Sequence, residues 1–301
     1  MAQYLASCPL GCNSGLEPTP LILPEGPLLK CPDCGQLVSQ ATEERYRESM
    51  LEFDDPKGTL PDAASRRRRF SLGKKWLDKI SSLLNKPPSE IRLLDVGCSS
   101  GAFLQIAKAL GFAAEGVEPA PRAAQTAKDA GLVVHCGYLQ DIGFPPESFD
   151  AITLFEVIEH LREPAELLME CRRILKPGGI LLVGTGNTAS WTVASEKEAW
   201  RYFRIENHGG HISFYNPFSM AKLAQHCDFE LARIDTQNVR LVEKGQTSPL
   251  LYRLSRIAGE LLNLPAKFLW GAATTCRPIS GNPSFCRPLP CKAETACPLP
   301  A

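Results

Sequence analysis

The sequence predicts an α/β fold, a doubly wound and mostly parallel sheet, with a small cysteine-bearing module in front of it. Apolar runs of strand length alternate with amphipathic helical segments over residues 71–247, and this alternation is typical of parallel sheets built from right-handed crossovers. The first run, residues 91–96, leads into a turn of small residues that opens a helix. We expect any ligand of the sheet to lie at the carboxyl edge of the strands.

The turn after the first run is a candidate ligand site. Gly97 and Gly101 bound this turn, and Ser99 or Ser100 is expected to cap the helix that follows. Small residues let a ligand approach the backbone, and amides at a helix N-terminus point outward. Asp95 at the end of the strand favours a cationic ligand over a pyrophosphate. The sequence also lacks the triphosphate and three-glycine dinucleotide motifs at this turn.

A second acid, Glu118, ends the next apolar run, where strand-end acids of doubly wound folds bind ribose hydroxyls. At these residues the chain resembles the class I S-adenosylmethionine-dependent methyltransferases, a Rossmann-like family. Residues 138–142, 149–156 and 175–179 continue the resemblance in family order over roughly 150 residues. Ser99 departs from the commonest family pattern, which has a glycine at that position.

The resemblance implies a role for each matching residue. Asp95, Gly97 and Gly101 would shape the amino-acid end of S-adenosylmethionine, and Glu118 would bind its ribose. Asp141 and Ile142, in the loop at residues 138–142, would contact the adenine. These assignments depend on the family motif and not on composition or spacing.

The composition does not favour a strongly charged partner. Lys plus Arg and Asp plus Glu both total 33, so the formal net charge at pH 7 is +0. No overall field therefore attracts nucleic acid or an anionic membrane. The chain has 12 cysteines, but its N-terminus lacks the charged region and long apolar core of a secretory signal. We therefore expect a cytoplasmic protein whose clustered cysteines bind metal or remain thiols.

Four cysteines within residues 1–40 form two knuckles, Cys8 with Cys12 and Cys31 with Cys34. Their spacing predicts a tetrahedral thiolate site for structural zinc, since so short a segment needs the folding energy of a metal. Unligated thiols and a redox or catalytic role are the alternatives. The arrangement is similar to a subgroup of bacterial methyltransferases that carry an N-terminal zinc ribbon, in which these four cysteines match the ligands.

Residues 41–70 are interpreted as a linker or lid. They end in a basic run at residues 66–69, which is expected to be the solvated start of a helix. Its arginines could instead contact a carboxylate of the cofactor or substrate. Nucleic-acid binding is not favoured, because no interleaved aromatic residues accompany the run.

The stretch after the fourth strand is the candidate catalytic site. Glu156, Glu159 and His160 could converge within one helical turn, and His208 and His211 lie about 50 residues further on. The pattern resembles ubiquinone-pathway O-methyltransferases and small-RNA 2'-O-methyltransferases, in which such a set binds a divalent cation. A divalent-ion site at Glu156, Glu159 and His160, a general base made by His160 with Glu159 or His211, and purely structural hydrogen bonding remain open.

Three C-terminal segments complete the predicted organisation. The long aromatic connection at residues 187–216 is expected to select the substrate or to pack as a lid. Residues 248–272 predict an amphipathic helix that contacts protein or, peripherally, a membrane, but is too short and charged to span one. Residues 273–301, rich in Pro and Cys, are expected to be a disordered tail.

These patterns predict an S-adenosylmethionine-dependent methyltransferase that modifies the oxygen or carbon of a small-molecule or glycan acceptor. Two alternatives belong to other classes of protein. One is an RNA methyltransferase that uses the cysteine module and residues 66–69. The other is a non-catalytic interaction protein in which the zinc ribbon recruits partners and the cofactor fold is vestigial. The intact acids Asp95, Glu118 and Asp141 argue against the second alternative.

Overall fold

The computed structural model describes residues 3–51, 63–205, 210–234, 248, 251 and 284–288, with the backbone alone for residues 63–68 and 284–288. The N-terminal part contains β1 (Glu17–Leu23), β2 (Gly26–Lys30), β3 (Leu37–Val38), α1 (Glu43–Met50) and α2 (Ala63–Leu84). The alternating part contains β4 (Arg92–Val96), α3 (Ala102–Ala109), β5 (Ala113–Glu118), α4 (Pro121–Asp129), β6 (Val133–Cys136), α5 (Leu139–Ile142), β7 (Phe149–Phe155), α6 (Pro164–Ile174) and β8 (Leu175–Gly184). It is followed by α7 (Trp191–Glu196), β9 (Ser213–Phe214), α8 (Pro217–His226), β10 (Phe229–Ile234) and β11 (Ser284–Pro288).

The large sheet confirms the predicted doubly wound fold. Its strand order among the described residues is β10-β11-β8-β7-β4-β5-β6, and β4 to β8 pair in parallel. The chain runs outward from β4 through β5 to β6, then returns to place β7 on the other side of β4. The order therefore reverses between β4 and β7, and doubly wound sheets bind their ligands at the carboxyl end of such a switch point.

Successive residues of the central strands supply two separate cores. Leu93 packs with the helices α2 and α3 on one face, whereas Leu94 packs with α6 and α8 on the other. The same alternation recurs in β8, where Leu181 and Leu182 belong to opposite cores. Side chains of a strand alternate between faces, so a run that is apolar at every position is buried on both.

A small antiparallel sheet joins the N-terminal module to the main domain. Its order is β1-β2-β3-β9, so its last strand comes from the long connection after β8. Leu37 pairs with Phe214, and Val38 pairs with Ser213. The module is therefore continuous with the main domain through backbone hydrogen bonds, and is not tethered by its linker alone.

The structure corrects two expectations. The residue before α3 is Gly101 in the left-handed conformation, without a side-chain cap, so the predicted Ser99 or Ser100 cap is wrong. Residues Ser284–Pro288 of the predicted disordered tail form β11, which pairs antiparallel with both β8 and β10. No helix within the described ranges is long and apolar enough to cross a membrane.

Several predictions fall on parts of the chain that the structure does not describe. They are the middle of the linker at residues 52–62, His208, the helix at residues 248–272 apart from Ser248 and Leu251, and the tail outside β11. The arginine side chains at residues 66–68 also lie outside the described residues, although their backbone is helical.

Asp150, at the start of β7, ties three segments together at the amino edge of the sheet. It is 3% exposed and accepts hydrogen bonds from Lys86 Nζ at 2.7 Å, Lys176 Nζ at 2.8 Å and the Arg92 amide at 3.0 Å. Burial alone would raise the pKa of Asp150, but these three donors hold it below its ordinary value. The anionic form is therefore favoured in the folded protein.

We expect Asp150→Asn to lower the free energy of unfolding at pH 7 by about 2–4 kcal/mol, because it leaves two lysines without their shared charge partner. A depressed carboxyl pKa stabilises the fold above the pKa of the unfolded chain, near 4, and this contribution disappears as the pH falls through the folded value. Urea unfolding at pH 7 and pH 3 should therefore show a difference from wild type that shrinks in acid. The exposed control Glu147→Gln should show none at either pH.

Candidate active site

Asp95 lies in β4 beside the topological switch point. It is 3% exposed, pairs in register with Thr153 of β7, and accepts a hydrogen bond from the Thr153 hydroxyl at 2.6 Å. Burial raises the pKa of Asp95 to about 7, and the nearby Glu118 carboxyl adds to this, although the Thr153 hydrogen bond opposes it. A cation beside a buried acid favours its charged form, so this position suits a cationic ligand.

Glu118 ends β5 and holds the turn that follows β4. Its carboxylate oxygens accept hydrogen bonds from the amides of Ser99 and Ala120, both at 2.8 Å. Ser99 itself has a φ of 48°, and Gly97 has a φ of 76°. A Cβ on Gly97 would lie 2.6 Å from Val157 Cγ2, so this position requires glycine for its conformation and for space.

Asp141 and Ile142 lie on α5, directly after the outer strand β6. The Asp141 side chain is exposed, whereas Ile142 is partly buried against the core below the sheet edge. The carboxyl ends of parallel strands share one edge, so α5 lies at the same edge as Asp95 and Glu118. The structure thus brings all six predicted cofactor residues to the carboxyl edge of the sheet.

Glu159 is a fully buried carboxyl on a 3-10 turn, Ile158–His160, that follows β7. One oxygen accepts a short hydrogen bond from the Tyr202 hydroxyl, and the other accepts one from the Thr185 hydroxyl at 3.0 Å. The Gly186 amide donates to the Tyr202 oxygen at 2.9 Å. Burial, and then the charge of Glu156, raise the pKa of Glu159 well above its ordinary value.

Two histidines pack against this acid. His160 is 7% exposed and His211 is 2% exposed, and their ring centroids are 4.7 Å apart. His211 Nδ1 lies 2.9 Å from the Tyr202 carbonyl, which can only accept, so this nitrogen carries the proton. The lone pair of the neutral ring is then on Nε2, which lies 3.9 Å from Glu159 Oε1.

The structure regroups the predicted Glu156, Glu159 and His160 set. Glu159, His160 and His211 each offer a ligand atom within 4.8 Å of the others, and these three residues are buried. Glu156 lies outside this group and is exposed, with a left-handed φ of 54°. The carboxyl of Glu156 is nevertheless hydrogen-bonded to Glu159 and Tyr202, so it borders the cluster without offering a ligand atom to it.

Sequence reasoning missed the donors that surround Glu159. Tyr202 was predicted only as an aromatic residue of the connection at residues 187–216, and Thr185 lies just beyond β8 without any motif. Tyr46 of α1, in the predicted lid, donates from its hydroxyl to the His160 carbonyl at 2.9 Å. The aromatic content of the connection was the one available signal, and it could not indicate which ring reaches the acid.

The same connection lines a cavity of about 560 Å³ whose other wall is β1. Substrate selection by this connection remains a prediction. The residues that line the cavity are Pro20, Leu21, Thr188, Ala189, Ser190, Val193, Ala194, Lys197 and Glu198.

The four predicted metal ligands lie together in the N-terminal module. The sulfur atoms of Cys8, Cys12, Cys31 and Cys34 lie within 4.8 Å of one another, and Cys8 Sγ is 3.6 Å from Cys34 Sγ. Only Cys12 is partly exposed. Four thiol sulfurs at this separation match the ligand set of a tetrahedral zinc ion with Zn–S bonds of about 2.3 Å.

We expect Asp95→Asn to become more stable relative to wild type as the pH rises. A raised carboxyl pKa stabilises the fold fully only below the unfolded value near 4, and this contribution disappears as the pH rises through about 7. Asparagine keeps an acceptor for Thr153 but cannot ionise. The difference in unfolding free energy, measured with urea at pH 5 and pH 8, should grow by about 3 kcal/mol. A pH-independent difference would contradict the raised pKa.

Comparison with known proteins identifies the family. Residues 65–234, more than half of the chain, match the Methyltransferase domain family. The ubiquinone biosynthesis O-methyltransferase of Caulobacter vibrioides is 33% identical over 131 residues, which cover 38% of this chain and 49% of that protein. The ubiquinone biosynthesis O-methyltransferase of Xanthomonas oryzae pv. oryzae is 30% identical over 165 residues, covering 52% of this chain and 68% of that protein.

A solved structure, a SAM dependent methyltransferase from Archaeoglobus fulgidus, has 16% identity and a TM-score of 0.49, and the match covers 71% of this chain and 94% of that chain. The chain spans about half of the length of the Caulobacter relative. The match over residues 65–234 includes the switch point with its acids Asp95 and Glu118, and also the cluster of Glu159, His160 and His211. It shows that this chain belongs to the Methyltransferase domain family.

Proposed function

We propose that this chain transfers the methyl group of S-adenosylmethionine to the oxygen or carbon of a small-molecule or glycan acceptor. The observation that carries the proposal is the buried cluster of Glu159, His160 and His211, which follows β7 at the same sheet edge as Asp95 and Glu118. One sheet edge thus offers acids for a cationic cofactor next to imidazoles for an acceptor proton. Family membership and the O-methyltransferase relatives support the same reaction class.

The proposed cofactor residues fit the chemistry of S-adenosylmethionine. When bound, this cofactor supplies a methyl group on positively charged sulfur, which a nucleophile attacks in line. Asp95 would face its ammonium end beside the Gly97 and Gly101 turn, and Glu118 would bind the ribose hydroxyls. Asp141 and Ile142 would contact the adenine. The protein's part is to hold the reactants in line and exclude water.

The proposed acceptor site needs a group that takes a proton. His160 is the most exposed member of the buried cluster, so we assign the contact with the acceptor to its imidazole. Glu159 and His211 lie behind it, and His211 Nε2 faces the acid. An oxygen or carbon acceptor would lose its proton to His160 as its bond to the methyl carbon forms and the bond from that carbon to sulfur breaks, with the neutral thioether as the leaving group.

A divalent cation is a second proposal for the same cluster. The carboxylate of Glu159 and the imidazoles of His160 and His211 form a mixed donor set that suits an ion of the Mg, Mn or Zn class. Such an ion would supply Lewis-acid polarisation of an acceptor oxygen. The three residues that would hold it include His211 in place of the predicted Glu156.

No contact in the described part of the chain favours the RNA methyltransferase or the non-catalytic interaction protein. The expected cytoplasmic location likewise remains a prediction from cysteine usage.

Calorimetric titration of S-adenosylmethionine and its demethylated product into the full chain tests the proposed cofactor. We expect micromolar binding, and Glu118→Ala should weaken it about 10- to 100-fold because a charged hydrogen-bond acceptor is lost. Glu118→Gln is the milder variant, since the alanine also removes the partner of the Ser99 amide. The exposed control Glu90→Ala should bind as wild type does. A folded protein that binds neither compound would exclude the methyltransferase.

A screen of acceptors with labelled methyl groups then tests His160 as the proposed general base. His160→Asn should bind the cofactor with wild-type affinity but transfer methyl groups at least about 100-fold more slowly, the usual contribution of a general base. Equal transfer rates would remove His160 from the mechanism.

We also propose that Cys8, Cys12, Cys31 and Cys34 hold one structural zinc ion. Metal analysis of the purified chain should find about one zinc per chain, the stoichiometry of a four-thiolate site. Cys31→Ser should lose most of the zinc. The control Cys136→Ser, which changes an exposed cysteine at the end of β6, should keep it. Full zinc content in Cys31→Ser would contradict the assignment.

A further inference from the structure

The 3-10 turn that carries Glu159 and His160 is held from outside at every backbone carbonyl. The Ile158 carbonyl accepts from the Tyr215 hydroxyl at 3.3 Å, and the His160 carbonyl accepts from the Tyr46 hydroxyl at 2.9 Å. The middle carbonyl, that of Glu159, accepts from the Ile212 amide at 3.0 Å. The position of the turn therefore depends on elements that lie far away in the chain.

Ile212 connects the turn to the N-terminal module. Its amide donates to the Glu159 carbonyl, and its own carbonyl accepts from the Ser39 amide at 2.9 Å. His211 is its neighbour in the chain. The segment that contains Ile212 is thus hydrogen-bonded to the backbone of Glu159 on one side and to the backbone of the module on the other. A shift of the module would therefore move His211 relative to Glu159.

Gln36 strengthens this connection inside the protein. It is fully buried, and its side-chain nitrogen donates to the Ser213 hydroxyl at 2.7 Å. Its backbone carbonyl accepts from the amide of Cys31, a proposed zinc ligand, at 2.9 Å. Asn216, at the start of α8, donates from its side chain to the Gly35 carbonyl at 2.9 Å. Two short polar links therefore join the second cysteine knuckle to the segment that carries His211.

The apolar contacts have the same arrangement. Leu28 and Leu37 of the module share a small core with Phe203 and Phe214 of the connection. Val38 shares another with Ile205 and Ile212. Each cluster is completed by residues from both parts, so neither part can keep its packing alone, and metal-dependent folding of the module would order both.

We propose that Gln36 and Ser39 are positioning residues of the active site, and that the metal-bound N-terminal module holds His211 against Glu159. The inference rests on the proposed function for the roles of these two site residues. The module is then an integral wall of the catalytic centre, although none of its cysteines takes part in the reaction. The cofactor edge at β4 and β5 is formed by parallel strand pairing and by hydrogen bonds of Asp95 and Glu118, whose partners Thr153, Ser99 and Ala120 all lie outside the module.

Amide hydrogen exchange on the full chain tests the proposal without any acceptor. Removal of zinc with a chelator under reducing conditions should accelerate exchange of the Ile212 amide by about 10-fold or more, since local opening no longer disrupts ordered contacts. Exchange of the Leu94 amide in β4 should stay as in the zinc-loaded protein. Unchanged protection at Ile212, or equal acceleration at Leu94, would overturn the proposal, the second by showing global unfolding.

A matched pair of variants separates positioning from metal binding. Gln36→Met keeps the size of the side chain but removes the bond to Ser213, and Gln40→Met removes a bond from the same module to the Pro27 carbonyl, away from β9. Both should keep zinc, but only Gln36→Met should accelerate exchange at Ile212 and shift the imidazole resonance of His211. A Gln36→Met variant that keeps zinc without either change would contradict the proposal. If it does not fold, Ser213→Ala tests the same bond.

The proposal and the proposed function can fail separately. Calorimetry with S-adenosylmethionine reports on the cofactor edge, and we expect both Gln36→Met and the zinc-free protein to bind within about 2-fold of the zinc-loaded wild type, the scatter of mutations at distant sites. If Gln36→Met loses cofactor binding while its Leu94 amide stays protected from exchange, the module also shapes the cofactor edge, and the proposal that it positions only the Glu159 cluster is overturned. Absence of binding in the wild type would reject the proposed function alone. The exchange result would still decide whether the metal-bound module holds His211 against Glu159.

Discussion

The burial of one carboxyl group, that of Glu159, constrains everything around it. A carboxyl shielded from water needs hydrogen-bond donors, and Tyr202 and Thr185 supply them. Tyr202 belongs to the connection after β8, so that connection must cross back over the sheet edge before α8 begins. The segment beyond it then brings His211 to the acid.

The two halves of the proposed active site have different structural origins. Asp95 and Glu118 reach their places by parallel strand pairing, which brings the carboxyl ends of β4 and β5 to one edge. The Glu159 cluster has no such support, because the 3-10 turn is short and its carbonyls are held by side chains and by Ile212. The cofactor half is therefore a property of the sheet, and the acceptor half is a property of contacts between distant segments.

Sequence reasoning worked where local chemistry decides the structure. The strand predicted at residues 91–96 corresponds to β4, because buried parallel strands are apolar at nearly every position. Residues 149–156, which continue the family resemblance, correspond to β7. It failed at the start of α3, where Gly101 adopts a left-handed conformation that leaves no place for a serine cap. It also failed for β11, which pairs with β8 across about a third of the chain and has no apolar signature.

The sequence by itself determined the central parallel strands, the glycine turn, the strand-end acids and the paired cysteines, because hydrophobic runs, turn chemistry and ligand spacing act over a few residues. Only the tertiary structure decided that His211, and not Glu156, joins Glu159 and His160, and that Gln36 bonds to Ser213 across 177 residues. Contacts over such separations depend on how the elements pack, and packing reflects the whole set of buried surfaces, which no local pattern contains.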